Sequence, residues 1–280
     1  MQSNVTAWPA DARRAERTTV PREAGGRAFQ AVHLLDADPD LGATLSPSRF
    51  ADARSLLVAR VHAVPQGPWT NVPTRDPGPG QIGLLVLDGV LSRELLMEDD
   101  VSIELLGEGD LIRPWQAHGP SRLLQTEVRW NVLQSARLAV LGPGFQRALG
   151  GFPEVAAVLI DRVTERAHRL ALGQAISQLN GVDRRVLALF WHLAERWGRM
   201  TGDGVVVPLA LPHRIIAQLV GARRPTVSTA IVRLGERGAL ERRGSGAWVL
   251  HGEPVGFPSG RTARVVELRR NRFRPADAAV

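Results

Sequence analysis

One segment near the C-terminal end of this 280-residue chain constrains the fold more than any other. Residues 212–234 read PHRIIAQLVGARRPTVSTAIVRL, a pattern that predicts two short helices joined by a tight turn. Gly221, between them, can take the positive φ that ends a helix. Pro225 suits the first turn of the second helix, because an N–H at that position has no helical partner. The segment therefore predicts a helix pair whose members start near His213 and Arg224.

Apolar residues recur on one side of each predicted helix and polar residues on the other. The side chains expected to be buried are Ile215, Ile216, Leu219, Val227, Ile231 and Leu234. The polar side of the second helix carries Arg224, Thr226, Ser228, Thr229 and Arg233. Arginine and hydroxyl groups at the start of such a helix match the base edges and phosphates of duplex DNA. The pattern therefore predicts a DNA-binding helix.

Basic charge is concentrated in and after this helix pair. Residues 213–280 hold 13 of the 35 basic residues but only 5 of the 28 acidic ones, so the rest of the chain is close to neutral. This distribution is expected of a polyanion-binding module. The chain contains no Cys, Lys or Tyr, which excludes disulfides, thiol nucleophiles, cysteine-ligated clusters and Schiff-base lysines. With no catalytic motif present, we expect neither an enzyme nor a resident cofactor.

The order of patterns along the chain predicts five segments. Residues 1–27 are expected to be a disordered leader, residues 28–152 a β-roll of short antiparallel strands, and residues 153–181 a long helix. Residues 182–255 are expected to form a winged helix-turn-helix, and residues 256–280 a basic, flexible tail. The predicted fold class is therefore α+β.

Short apolar runs define the strands expected in this roll. They lie at residues 82–87, 90–96, 101–106, 123–128 and 136–141, and Asp88 with Gly89 predicts a hairpin between the first two. Residues 47–64 include a helical pattern. In the C-terminal part, Asp183 is expected to cap a helix, residues 205–211 to form a strand, and residues 240–250 to form a hairpin.

The long helix expected from Pro153 carries an apolar stripe at helical spacing. Its members are Val155, Leu159, Val163, Ala167 and Leu170. A linear seam on a long helix often pairs with a second copy of itself. The stripe therefore predicts a homodimer, with ordinary packing against the roll as the alternative.

The order of roll, long helix and winged helix-turn-helix resembles the Crp/Fnr family of bacterial transcription regulators. Two segments carry the resemblance. LLGEGDLI at residues 105–112 is similar to the family's G-x-G-D-x-x-G-E segment, and IIAQLVGARRPTVSTAIVRL at residues 215–234 is similar to its helix-turn-helix. The resemblance implies a roll that senses a signal, a helix that forms the dimer and a winged helix that reads a palindromic operator.

The resemblance also implies DNA contacts. Arg224 falls at the family's guanine-reading arginine, and Thr226 falls at a phosphate contact. Pro225 replaces the glutamate that reads the opposite base, and Thr229 replaces a second base-contacting arginine. Because proline has no hydrogen-bonding side chain, we expect an operator that differs from the family's common half-site at that pair.

Taken together, the expected base-edge contacts are Arg224, Ser228 and Thr229. The expected contacts to phosphates or groove edges are Arg223, Thr226, Arg233, Arg242 and Arg243.

The segment similar to the family's cyclic-nucleotide site departs further from the pattern. Arg113 stands where the family has the glycine of its Gly-Glu pair, and Arg122 lies near the position of the phosphate-binding arginine. The candidate ligand residues are Gly109, Asp110, Arg113 and Arg122, and we expect no cyclic AMP binding in the family's manner. Haem ligation through His33, His62 or His118 stays open. The alternative is that these histidines make ordinary hydrogen bonds or lie on the surface.

These patterns predict a homodimeric, sequence-specific DNA-binding transcription regulator. The expected partners are double-stranded DNA, a second copy of the chain and RNA polymerase, with no membrane, and the expected location is the cytoplasm at the nucleoid. The alternative is a nucleoid-type protein that coats DNA without ligand control. Footprints distinguish the two, because a regulator protects discrete palindromes and a coating protein protects extended stretches.

Overall fold

The computed structural model describes residues 30–73, 77–116 and 123–254. The chain divides into two compact units, residues 1–170 and 171–280, termed here the sheet unit and the winged unit. The leader and tail expected at residues 1–27 and 256–280 lie outside the described residues.

The sheet unit is built around one antiparallel sheet. Its strands are β1 (Gln30–His33), β2 (Val58–Val64), β3 (Gly67–Pro68), β4 (Gly83–Met97), β5 (Asp100–Gly107), β6 (Leu111–Ile112) and β7 (Glu127–Leu141). The strand order is β1-β2-β7-β4-β5, with β3 paired to β7 and β6 paired to β4. The antiparallel architecture predicted from the spaced apolar runs is confirmed.

The hairpin predicted at Asp88 and Gly89 is wrong. β4 runs through both residues along β7, with register shifts on either side that mark a β-bulge. Gly89 has a φ of 89°, and a Cβ at this position would lie 2.4 Å from the carbonyl oxygen of Ser135. A bulge and a tight turn both need a residue with positive φ, and the dipeptide alone does not distinguish them.

Two other boundaries also differ from the sequence-based expectation. The runs at residues 123–128 and 136–141 were expected to be separate strands, but β7 passes continuously from Glu127 to Leu141. The helical pattern at residues 47–64 ends at Leu56, and β2 occupies the remainder. The β-branched run of Val58, Val61 and Val64 favours a strand there.

Two helices of the sheet unit lie between β1 and β2, and two follow β7. They are α1 (Leu34–Ala37), α2 (Pro47–Leu56), α3 (Pro143–Leu149) and the start of α4 (Pro153–Ser177). One apolar cluster joins these helices to the sheet through residues such as Leu34 and Phe145. A second cluster contains Trp69 and Trp130, whose rings meet edge to face with centroids 5.9 Å apart.

The first turns of α4 belong to the core of the sheet unit. Val155 is 0% exposed and Leu159 is 4% exposed, and both lie in the first apolar cluster. Their assignment to a dimer seam is therefore wrong, because the chain itself covers them. The later members of the stripe, from Val163 onward, are not part of this cluster.

The winged unit consists of helices and a small antiparallel sheet. Its elements are α5 (Val182–Trp197), β8 (Arg199–Thr201), β9 (Gly204–Val207), α6 (His213–Leu219), α7 (Arg224–Glu236), β10 (Leu240–Arg242) and β11 (Trp248–Leu250). The strand order is β10-β11-β9-β8. Phe190 and Trp248 are fully buried at the centre, with ring centroids 4.8 Å apart. The predicted winged helix-turn-helix is confirmed.

Two details of this unit correct the expectation. The strand expected at residues 205–211 ends at Val207, although Leu209 and Leu211 are buried. Gly181, rather than Asp183, occupies the N-cap of α5, and no side chain caps that helix.

Among the helices of the described residues, none has both the length and the apolar character needed to cross a membrane.

Candidate nucleic-acid interface and effector cavity

The turn between α6 and α7 is held by backbone geometry and by one arginine. Gly221 has a φ of 59°, and the N–H of Ala222 donates to the carbonyl of Ala217 at 3.0 Å. The Arg185 guanidinium donates to the carbonyls of Val220 and Gly221 at 3.4 and 3.3 Å. These carbonyls follow a helix end and have no helical partner, so Arg185 stabilises the turn that sets the angle between the two helices. Sequence reasoning did not identify this role.

The first turn of α7 presents its polar residues to solvent. Arg223 is the N-cap, Arg224 is the first helical residue, and Pro225 fits within the first turn. Arg223, Arg224 and Thr226 are exposed, whereas Val227 is completely buried. The apolar stripe therefore anchors α7 in the unit and directs the arginine-rich end outward, as predicted. No ion pair holds Arg224 among the described residues, so its guanidinium is available to a ligand.

The two hydroxyl side chains on the same face make local hydrogen bonds. Ser228 Oγ donates to the carbonyl of Arg224 at 3.1 Å, and Thr229 Oγ1 donates to the carbonyl of Pro225 at 3.2 Å. Ser228 Oγ also lies 2.9 Å from Nδ1 of His213, the first residue of α6. His213 was not singled out from the sequence, because nothing in the spacing signals a contact between residues fifteen positions apart.

The remaining predicted phosphate contacts lie along the same unit, partly engaged with acidic residues. Arg233 is 59% exposed and lies 3.9 Å from a carboxylate oxygen of Asp183. Arg243 pairs with the exposed Asp203 at 2.8 Å. Arg242 places its guanidinium over the Trp248 ring, 5.5 Å from the centroid. The charges of Arg233 and Arg243 are therefore partly balanced in the free protein.

A cavity in the sheet unit lies between the strands and α4. It has a volume of about 410 Å³ and is lined by Arg93, Leu111, Arg113, Gln116, Trp130, Val163 and Arg166. Burial lowers the pKa of Arg93, and the positive charge of Arg166 adds to this effect, while Glu104 opposes it. Three guanidinium groups therefore lie beside one tryptophan, and Glu104 balances part of their charge through Arg166 and Arg93.

Of the candidate ligand residues, only Arg113 lines this cavity, and its Nε donates to the carbonyl of Ile82 at 2.5 Å. Asp110 is 1% exposed, accepts from the N–H of Gly107 at 2.9 Å and pairs with Arg169 at 2.5 Å. Gly109, with a φ of 84°, forms the turn beside Asp110. The protein's own groups hold the buried carboxylate of Asp110, which opposes its assignment to a ligand, and the ligand role of Gly109 stays a prediction. Arg122 lies outside the described residues.

Arg169 is one of three arginines on α4 that fix this helix to the sheet unit. Arg162 pairs with Asp38, which is 2% exposed. Arg166 binds both oxygens of Glu104, at 2.6 and 2.8 Å. The three carboxylates come from three separate segments of the unit, so the ion pairs define the helix position at several points.

An exposed apolar face runs along α4 beside these arginines. Ile160 is 65% exposed, Val163 48% and Leu170 47%, and Ala167 is also exposed. Their spacings of three, four and three residues are those of a coiled-coil seam. The exposed apolar face therefore begins at Ile160, later along the helix than the stripe predicted from the sequence.

Two of the three histidines considered for haem are engaged in ordinary contacts. His33 Nδ1 hydrogen-bonds the carbonyl of Arg54 at 2.9 Å. The ring of His62 packs beside Trp69, with centroids 6.5 Å apart. His118 lies outside the described residues. Haem ligation stays a prediction with no support from these contacts.

Comparisons with known proteins bear on both units. Residues 184–252 match the family model of the Crp-like helix-turn-helix domain. A curated relative, the CRP-like cAMP-activated global transcriptional regulator of Mycobacterium tuberculosis, is 31% identical over 101 residues, which are 36% of this chain and 45% of the relative. The chain thus matches less than half the length of that relative.

Solved structures show the same fold at low sequence identity. A cyclic nucleotide-binding domain containing protein from Listeria monocytogenes has a TM-score of 0.56 at 14% identity, covering 76% of this chain and 96% of its own. A CooA mutant from Carboxydothermus hydrogenoformans scores 0.53 at 17% identity, covering 69% and 83%. FixK2 from Bradyrhizobium japonicum scores 0.53 at 17% identity, covering 70% and 94%.

The matched family model and the shared fold agree with the motif at residues 215–234. The chain carries a Crp-like helix-turn-helix domain at residues 184–252, and it shares its fold with the solved structures above.

Proposed function

We propose that this chain is a homodimeric, sequence-specific DNA-binding transcription regulator that acts in the cytoplasm at the nucleoid. The observation that carries the proposal is the exposed, arginine-led start of α7, which a buried apolar stripe orients away from the unit. A helix end of this kind fits the major groove, where a guanidinium can donate two hydrogen bonds to guanine. Arg224 is the residue proposed to read guanine, with Ser228 and Thr229 as further base-edge contacts.

The phosphate contacts proposed around this helix are Arg223, Thr226, Arg233, Arg242 and Arg243. Contacts of this kind fix the orientation of the protein on the duplex and give affinity that falls as salt increases. Asp183 and Asp203, which lie beside Arg233 and Arg243, compete with phosphates for those arginines. Because of this competition, we expect the affinity for non-specific DNA to be moderate. The residues at the start of α7 would then contribute a larger share of the sequence selectivity.

The seam of Ile160, Val163, Ala167 and Leu170 supports a parallel pairing of two copies through α4. Exposed apolar side chains at heptad spacing lose contact with water when two such helices pack together. A two-fold dimer presents two α7 helices, and the operator would then be a palindrome whose half-sites are about one helical turn, 34 Å, apart.

For the sheet unit, we propose an effector other than cyclic AMP bound in the family's manner. The relative named above is described as cAMP-activated. In this chain, Asp110 and Gly109 are engaged internally, and the cavity is lined by Arg93, Arg113 and Arg166. Calorimetry with cyclic AMP tests this point. Affinity in the micromolar range or tighter contradicts the proposal, and no heat of binding supports it.

Selection of bound sequences from a random duplex library tests the function as a whole. The proposal expects a discrete two-fold symmetric motif that differs from the family's common half-site at the pair facing Pro225. Extended, sequence-independent coverage would instead support a DNA-coating protein. Recruitment of RNA polymerase, the further partner expected from the sequence, is tested by transcription in vitro from a promoter that carries the selected motif.

A further inference from the structure

One titratable side chain lies within the candidate interface without a role assigned so far. His213 is half-buried at the start of α6, and its ring packs beside Trp248, with centroids 6.3 Å apart. The ring also contacts α7 through the hydrogen bond between Nδ1 and Ser228 Oγ, at 2.9 Å. Three elements of the winged unit therefore hold the imidazole: α6, α7 and β11.

The contact with Ser228 bears on which ring nitrogen carries the proton when His213 is neutral. Ser228 has one hydroxyl proton, and this proton is donated to the carbonyl of Arg224. While Ser228 donates this proton to Arg224, its oxygen accepts from Nδ1–H of His213. In that tautomer of the neutral ring, Nε2 is the acceptor, and it becomes a donor only when the imidazole gains a second proton.

The charged groups that bear on this ring are cationic. Burial is the main cause that lowers the pKa of His213 below its ordinary value of 6.5, and the charges of Arg242 on β10 and Arg224 on α7 lower it further. These two arginines are also proposed DNA contacts. Phosphates placed against them would offset their repulsion of a positively charged imidazole.

We propose that His213 is part of the DNA interface and takes up a proton when a duplex binds, so that binding becomes tighter as pH falls. The proposal rests on the DNA-binding function proposed above. Phosphate oxygens accept hydrogen bonds, which favours the doubly protonated ring with Nε2–H. A group whose pKa is higher in the complex than in the free protein binds a proton on association, and by linkage the affinity increases toward acid pH.

Calorimetry of the full chain with a mixed-sequence duplex of about 30 base pairs, in dilute salt, tests this inference. Titrations near pH 6.5 in two buffers with different ionisation enthalpies give the number of protons taken up per protomer. The variant His213→Asn retains a side-chain N–H near the position of Nδ1 that can donate to Ser228, but it cannot titrate. The variant His33→Asn makes the same chemical change at an exposed site of the sheet unit and serves as the matched control.

The wild-type protein and His33→Asn are expected to take up a measurable fraction of a proton per protomer. Both should also bind the duplex at least about threefold more tightly at pH 5.5 than at pH 7.5. His213→Asn is expected to lose most of the uptake and most of this pH dependence. Equal proton uptake by all three proteins, together with normal duplex binding, overturns the inference and leaves the proposed function intact. Absence of duplex binding by all three overturns both.

A second variant keeps the test decisive if His213→Asn does not fold. Arg242 is exposed, and Arg242→Gln removes one of the two cations that lower the pKa of His213. The free protein then holds a proton on His213 more readily, so proton uptake on binding is expected to be smaller than in the wild type. An unchanged or larger uptake contradicts the inference.

Discussion

Replacing Arg224 by alanine should remove sequence preference at one base pair per half-site while leaving the fold intact. Arg224 is the first residue of α7, is exposed and holds no ion pair within the part of the chain that the structure describes. Its loss therefore breaks no internal charge contact, and the thermal unfolding temperature should not change. Any loss of affinity then reports on the contact with DNA.

The size of the effect follows from the proposed contact. One bidentate arginine–guanine pair discriminates against the wrong base by about 1–3 kcal/mol. A dimer uses this contact twice, so the loss on a palindromic site is about 2–6 kcal/mol, or about 30-fold or more in affinity. Binding to unrelated sequence should fall much less, because only one positive charge per protomer is lost.

Fluorescence anisotropy with the selected duplex, and with duplexes substituted at each half-site position, measures this effect. Arg224→Ala should lose preference at one base pair per half-site and retain it elsewhere. Arg237→Ala provides a matched control, because Arg237 follows the last turn of the same helix and is 67% exposed. If Arg224→Ala keeps the wild-type preference at every position, the assignment of α7 as the reading helix is wrong.

Three further outcomes are expected. Arg243→Ala should weaken binding to all duplexes alike. It should also reduce the slope of the logarithm of the binding constant against the logarithm of the salt concentration by about one per protomer, measured by anisotropy across a salt series. Val163→Asp should yield a folded monomer in sedimentation velocity, whereas Val232→Asp, an exposed valine of the winged unit, should leave the dimer unchanged. Asp110→Ala should lower the free energy of unfolding by about 3 kcal/mol, because it removes the buried carboxylate that pairs with Arg169, and denaturant titration should detect the loss.

The winged unit could be predicted well because its local signals agree with one another. Gly221 marks the turn, the apolar stripe of α7 includes Val227 and Leu234, and both side chains are buried. Helix periodicity and the turn glycine are short-range features, and the sequence displays them directly. The arginine-rich face of α7 could therefore be predicted from these local features without knowledge of the tertiary structure.

The sheet unit was less predictable because its boundaries depend on long-range pairing. Asp88 and Gly89 are typical of a turn, yet the neighbouring strand β7 accommodates them as a bulge. Val155 continues the stripe of α4, but which part of a stripe is covered by the sheet cannot be inferred from spacing alone. Asp110 matched a ligand motif and is instead held by Arg169, an arginine 59 residues away.

His213 illustrates the same limit within the DNA-binding unit. Its hydrogen bond to Ser228 and the charges of Arg224 and Arg242 arise only once α6, α7 and β10 are packed together. No sequence motif indicates this arrangement of side chains, and a histidine by itself is compatible with many roles.

Sedimentation of the purified chain with a fluorescent duplex that carries the selected motif tests the central claim most directly. In dilute salt, the account predicts that two protomers sediment with each duplex and that the complex dissociates as salt is added. A chain that stays monomeric and leaves the duplex unbound under the same conditions would contradict it.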